Sequence, residues 1–244
     1  MTTTITKLSN EARLLPYYKK LKGLKDNSQF VEDKSGVKIV ELLDFHCTLD
    51  PTQNLLKFNG RSTPEKYVKA ELDWYLSLDR HVDEIGKSAK IWTQVCSSEG
   101  LVNSNYGWCI YSEDNHSQYL NCMQQLIDNK STRRAMMIYT RPEMQQDYCK
   151  DGMSDFICTN NVQCFIRDNK LIYIVNMRSN DAILGLFNDL EWHIYVYNQL
   201  LRDLRIVYPE LQASTDGLYW NAASFHIYER HFDMLDKICE TVID

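Results

Sequence analysis

The chain has 244 residues, 44% of them hydrophobic, with 27 Lys and Arg against 33 Asp and Glu for a net charge of −6. That is enough apolar chain for one substantial core, and no Pro-, Gly- or Ser-rich run divides it, so a single domain over residues 1–244 is expected. The acidic balance argues against a nonspecific nucleic-acid binder, no apolar run approaches the roughly eighteen residues of a membrane span, and the Thr-rich start lacks a signal-peptide core, so a cytoplasmic location is expected.

Ser62-Thr63-Pro64-Glu65 offers a capping hydroxyl, a proline in the first turn and a carboxylate three residues after Ser62, and it predicts a helix running to about residue 79. The apolar stripe of that helix reads Tyr67, Ala70, Trp74 and Leu78; Glu71 falls on the same inward face, the wrong place for a solvated carboxylate. A second helix is predicted over residues 114–127 and a short strand over residues 134–140, ending before Pro142. From Phe156 the pattern becomes strand-like: residues 162–166 and 171–177 flank Arg167-Asp168-Asn169-Lys170, a tight hairpin turn that returns Arg178 toward Cys158. Residues 190–207 read as a long buried helix stopped before Pro209, residues 219–226 as a strand and residues 231–242 as an amphipathic terminal helix. Strands and helices mixed without regular alternation favour an α+β fold.

Cys47, Cys96, Cys109, Cys122, Cys149, Cys158, Cys164 and Cys239 are scattered without C-x-x-C spacing, so reduced thiols are expected, most of them small core residues. Cys158 stands apart by its downstream neighbours. Twenty residues on stand Arg178 and Ser179, a guanidinium and a hydroxyl able to hold a phosphate, while a nearby thiolate can attack an electron-poor ring carbon. Together they suggest covalent chemistry on a nucleotide. Glu71 reads as a general acid-base or as a structural anchor, and Asn188 or Asp189 as a ligand-reading group or as the cap of the helix expected from Leu190. His226 and His231, five apart, fit one metal-binding helical face poorly, so no metal is expected.

Seven segments in order resemble the thymidylate synthase superfamily: Asp33 to Lys38, Glu71 to Trp74, Asn105 to Trp108, Thr132-Arg133-Arg134, Gly152 to Cys158, Arg178 through Gly185 to Asp189, and His226-Ile227-Tyr228. The resemblance covers most of the chain. It implies a mixed β-sheet with flanking helices, a homodimer joined through its sheets, and transfer of a one-carbon unit from methylenetetrahydrofolate to the 5-position of a pyrimidine nucleotide after Cys158 adds at the 6-position. It implies catalytic roles for Cys158, Glu71, Asp189 and Tyr106, and nucleotide contacts from Lys34, Arg133, Arg134, Arg178, Ser179, Asn180, Asp189, His226 and Tyr228. Arg133 and Arg134 are implied to reach the neighbouring subunit's site, and Trp92, Asp181 and Gly185 to meet the folate.

The departures from the family's pattern bear on substrate and product. Asp189 stands where thymidylate synthases have an asparagine that reads uracil; a carboxyl that accepts from an amino group and shares a proton with the ring nitrogen suits cytosine instead. Lys34 replaces an arginine, supplying charge without a fork. Thr159 and Asn160 come after the nucleophile where a histidine is typical, and Thr241-Val242-Ile243-Asp244 differ from the apolar tail that closes over folate. A wetter site would let water add to the exocyclic methylene. The expectation is therefore a homodimeric enzyme making 5-hydroxymethyl-dCMP and tetrahydrofolate from dCMP, methylenetetrahydrofolate and water. A methylating relative, or less readily a catalytically silent nucleotide-binding subunit, is the alternative.

Overall fold

A computed structural model describes residues 8–33 and 36–243. Helix α1 (Asn10–Asp26) starts where the Ser9 side chain accepts from the Ala12 N–H, and it tolerates Pro16 in its interior. After β1 (Val31–Glu32), β2 (Lys38–Leu49) and the small hairpin of β3 (Lys57–Phe58) and β4 (Arg61–Ser62) comes α2 (Glu65–Ser77). The expected Ser62 cap is not formed, because Ser62 is paired with Lys57 in β4; Pro64 stands at the helix start without a side-chain cap. Leu78, in the left-handed region, ends α2 at Ser77, close to the expected end at about residue 79.

Short helices α3 (Ile85–Ser88), α4 (Ile91–Val95) and α5 (Tyr106–Tyr111) come next, the last capped by Asn105, whose side chain accepts from the Trp108 N–H. The helix expected over residues 114–127 is broken: a 3-10 turn ends at His116 and Ser117, both left-handed, and α6 (Gln118–Asp128) starts there. Then come β5 (Met136–Ile138), α7 (Met144–Asp147), β6 (Thr159–Arg167), β7 (Lys170–Met177), β8 (Asn180–Asp181), α8 (Gly185–Leu204), β9 (Gln212–Tyr228) and α9 (Phe232–Cys239).

The main sheet runs β1-β2-β9-β7-β6-β5, with β8 also paired to β9. The β6–β7 hairpin turns on Asp168 and Asn169, with φ of 49° and 54°, the left-handed pair a two-residue turn requires. Its register pairs Thr159 with Met177, so the ends of the hairpin put Cys158 beside Arg178, and the Arg178 N–H donates to the Cys158 carbonyl at 2.9 Å. β7 and β9 are parallel, joined through β8 and α8, which makes the sheet mixed. One face of the hairpin, Val162, Cys164, Ile166, Tyr173 and Val175, is buried, as is most of α8. The opposite face carries Asn161, Gln163, Phe165, Ile172, Ile174, Tyr219 and Asn221, all half-buried or exposed. The eight cysteines are free thiols: Cys109, Cys122 and Cys164 are buried in the core, Cys47, Cys96, Cys158 and Cys239 pack half-buried against it, and Cys149 is exposed.

Candidate active site

The loop before β6, the loop after β7, β8, the start of α8, the end of β9 and the inner faces of α2, α4 and α5 supply one group of polar side chains. Cys158 is half-buried. Arg178 leans over it: Nε donates to the Ile157 carbonyl at 2.9 Å, Nη2 to the Phe156 carbonyl at 2.6 Å, and Nη2 also stands 3.6 Å from Cys158 Sγ. Two carbonyl anchors fix the plane of the guanidinium and leave Nη1 for a ligand. Burial pushes the Cys158 thiol up to about 11, with Arg178 pulling it back toward the thiolate.

Asp189 is the position where the structure separates two readings. α8 begins at Gly185, five residues before the start expected at Leu190, so Asp189 lies inside the helix and caps nothing. Asp181 Oδ1 accepts from the Ile183 and Leu184 N–H groups at 2.8 and 3.0 Å in the turn ahead of the helix, whose own start has no side-chain cap. Asn188 Oδ1 is buried with no partner among the described residues. Asp189 Oδ2 instead accepts from Asn180 Nδ2 at 3.0 Å, and the Trp220 indole N–H, donating to Asn180 Oδ1 at 3.2 Å, fixes which way that amide points. Burial first, then Glu71 and Asp181, hold the Asp189 carboxyl well above the usual carboxylate range, so its neutral, proton-donating form is favoured. Gly185 stands beside it: a Cβ there would come within 3.3 Å of both Asn180 Nδ2 and Asp189 Oδ2.

Glu71 is buried on α2, its pKa pushed up to about 7 by desolvation, against which hydrogen bonds from Tyr67 and Tyr75 act. Tyr106 is buried on α5, stacked against Tyr75 at 5.3 Å, and its Oη accepts from the Thr159 N–H at 3.3 Å; Asp189 and Cys158 both lie near enough to raise its pKa beyond the effect of burial. His226 is buried beside Asp181, its partner in the β8–β9 register, and its ring meets that of Tyr228 in a T-shaped contact with centroids 5.1 Å apart. Burial lowers the pKa of the His226 imidazole, against the pull of Asp181, and so favours its neutral form. Trp92 packs on Trp74 with centroids 4.9 Å apart, at the same end as Tyr67.

Ser179 is half-buried between Arg178 and β8, while Lys34 lies outside the described residues. Arg133 and Arg134 do not join the group. They are exposed just before β5, where the register sets Ala135 against Cys164, and the run of β6 separates them from Cys158 by roughly 25 Å. Sequence reasoning missed Tyr67, which appeared only as an apolar stripe residue although its i,i+4 spacing to Glu71 was the available signal. It also missed Trp220, for which no local signal exists, 40 residues from Asn180. Among the described residues no cluster of three His, Cys, Asp or Glu could hold a metal ion, and no helix is long and apolar enough to cross a membrane.

A thiol beside an anchored guanidinium, with two carboxyls of raised pKa on neighbouring elements, brings together groups able to hold an anion and to exchange protons. The sequence model described as thymidylate synthase matches residues 16–242, and the chain belongs to the thymidylate synthase family. Among its relatives, the deoxycytidylate 5-hydroxymethyltransferase of Enterobacteria phage T6 is 47% identical over 213 residues, 87% of this chain and 85% of that protein. The protein of the same name from Enterobacteria phage T2 is 47% identical over 208 residues, 85% of this chain and 82% of that protein. The thymidylate synthase of Francisella philomiragia is 23% identical over 232 residues, 91% of this chain and 82% of that protein.

Proposed function

We propose that this chain converts dCMP, methylenetetrahydrofolate and water to 5-hydroxymethyl-dCMP and tetrahydrofolate. The observation that carries this reading is Asp189: a carboxyl with a raised pKa, oriented by Asn180 and free of any capping duty. In its neutral form it donates to cytosine ring nitrogen 3 while its carbonyl oxygen accepts from the exocyclic amino group. Uracil, with a donor at nitrogen 3 and a carbonyl beside it, would meet a proton with a proton. Names given to the phage relatives point the same way.

The side chains then divide the chemistry among them. Arg178 and Ser179 bind the phosphate, with Asn180 holding the Asp189 carboxyl and His226 and Tyr228 meeting the sugar hydroxyl. Cys158 releases its proton to water and its Sγ bonds to carbon 6, while the ring electrons move toward nitrogen 3, where the Asp189 proton compensates the charge. Carbon 5 becomes the nucleophile. Methylenetetrahydrofolate supplies a one-carbon unit at the oxidation level of formaldehyde. The residues suit a flat pterin: Trp92 offers an aromatic wall, Asp181 retains Oδ2, and Gly185 leaves open the space a Cβ would fill beside Asp189. Glu71, with a pKa of about 7, would take up the carbon 5 proton as the carbon–nitrogen bonding pair departs with tetrahydrofolate, which gains that proton and one from water, and would steer the remaining hydroxyl onto the exocyclic methylene before Cys158 leaves.

Two expectations beyond one chain belong to the same reading. The partly exposed sheet face, with Ile172, Ile174 and Tyr219 on it, is suited to a second copy, and Arg133 and Arg134, remote from their own Cys158, are suited to a partner's phosphate site. The setting proposed is the cytoplasm of an infected host, in keeping with the phage relatives.

The test is Asp189→Asn. Since Asp189 caps nothing, stability should change little, while kcat/KM on dCMP should fall on the order of a hundredfold and the preference for dUMP over dCMP should rise, because an amide can accept from uracil's ring N–H and donate to its carbonyl. An unchanged dCMP to dUMP preference in the folded variant contradicts the assignment.

A further inference from the structure

A chain of two hydrogen bonds runs from the aromatic wall into the buried carboxyl. The Trp92 indole N–H donates to Tyr67 Oη at 2.9 Å, and the Tyr67 hydroxyl donates to Glu71 Oε1 at 2.6 Å. Tyr67 lies one helical turn before Glu71 on α2, and Trp92 reaches it from α4, so two elements converge on one oxygen. The direction of the proton is fixed while Glu71 is ionised. The indole can only donate, so Tyr67 Oη accepts there and spends its own hydrogen on the carboxylate; a phenol that also accepts is a stronger donor.

The other groups facing Glu71 do not substitute for this contact. Tyr75, on the same helix, also leans on the carboxyl, and it is stacked on Tyr106 of α5. The Glu71 charge favours the neutral form of Asp189 on α8, while Glu71 itself is driven toward its neutral form by burial. Tyr67 is one of two hydroxyls opposing that effect of burial, and the one tied directly to the aromatic wall.

We propose that Tyr67 is a positioning residue that fixes the Glu71 carboxyl by its Oε1 and links it to the folate wall through Trp92. The inference rests on the reading of Glu71 as the acid-base group.

The test is Tyr67→Phe, which keeps the ring that packs on α2 and removes only the hydroxyl. Glu71 is titrated directly by the infrared carbonyl band of its protonated form, isolated by subtracting the Glu71→Gln spectrum, and in parallel through the pH dependence of kcat/KM for dCMP. Removing a hydrogen bond to the ionised form should move both transitions upward by about one pH unit. At pH 7 the variant should lose about fivefold in kcat/KM and recover it by pH 9, with dCMP affinity in a Cys158→Ser background unchanged. Trp92→Phe, which weakens Tyr67 as a donor without removing it, should shift the same transition in the same direction by less, and it carries the test if Tyr67→Phe does not fold. A Glu71 transition that stays at its wild-type pH in the folded Tyr67→Phe protein, or in Trp92→Phe where that variant must serve, overturns the proposal. Full turnover in Glu71→Gln would instead overturn the acid-base reading itself, and the infrared titration, which would still move in Tyr67→Phe, tells the two failures apart.

Discussion

Glu71 is ionisable, buried and held near pH 7, and that combination has a thermodynamic consequence separable from catalysis. An acid whose pKa rises from 4.5 to about 7 on folding binds its proton more tightly in the folded chain, so it costs stability above pH 7, and the cost disappears as the pH falls below 4.5. Glu71→Gln should therefore unfold at higher denaturant than wild type at pH 8, by up to about 3 kcal/mol, and the gain should vanish at pH 4. Denaturant titrations at the two pH values check it; equal stabilities at pH 8 would mean that the carboxyl is not held under strain. His193 contributes with the opposite slope. It is fully buried between Thr159 Oγ1 and Tyr173 Oη, at 3.3 and 3.2 Å, and its pKa is pushed down to about 3, so it withdraws stability as the pH falls below 6.5. The variant comparison at each fixed pH cancels that contribution. At this scale the sequence was informative about Cys158, Arg178 and Glu71, whose types and spacings carry their own chemistry. It was silent on Tyr67, which a helical wheel counts as apolar, and on the Trp220–Asn180 contact that orients Asp189.

Among the elements, the join between α2 and α5 controls the site most tightly. Gly107 is the neighbour of Tyr106, and a Cβ built on it would lie 1.8 Å from the Tyr75 carbonyl oxygen, inside the backbone of α2. No side-chain rotation relieves such an overlap; the two helices must separate. Gly107→Ala should destabilise the protein by about 3 kcal/mol and, by moving Tyr106 away from Glu71, reduce turnover on the order of tenfold to a hundredfold in whatever fraction folds. Thermal melting and activity per folded molecule check it, and a variant with wild-type melting and turnover would refute the close approach. The β6–β7 hairpin was legible because Asp168-Asn169 can enter the left-handed region that the turn requires, and the hairpin places Cys158 opposite Arg178. The starts of α2 and α8 were not. Ser62 was drawn into β4 by strand pairing, and α8 starts at Gly185 with no side-chain cap that a sequence pattern could show. Helix α1 carries Pro16 in its interior and β2 bends at Asp44, with φ of 52°, so neither shows an uninterrupted period.

For the whole molecule, the single chain leaves part of its proposed site unfinished. Helices cover one face of the sheet, while Leu43, Ile138 and Tyr219 stay exposed on strands and Arg133 and Arg134 point to solvent far from Cys158. If the arginine pair acts across a dimer, mixing a Cys158→Ala chain with an Arg134→Ala chain should restore activity, since each mixed dimer holds one site with both groups intact. Random pairing makes half of the dimers mixed, so about a quarter of wild-type activity should return. Mixed dimers demonstrated by differential tagging but without recovered activity would exclude contribution in trans.

The central claim is the reaction itself, and product analysis in isotopic water reads it most directly. With ring-labelled dCMP, methylenetetrahydrofolate and oxygen-18 water, the account predicts 5-hydroxymethyl-dCMP with the heavy oxygen in its new hydroxyl, one tetrahydrofolate per turnover, and no rise in dihydrofolate absorbance. A 5-methyl product accompanied by dihydrofolate, or no carbon transferred to dCMP at all, would contradict it.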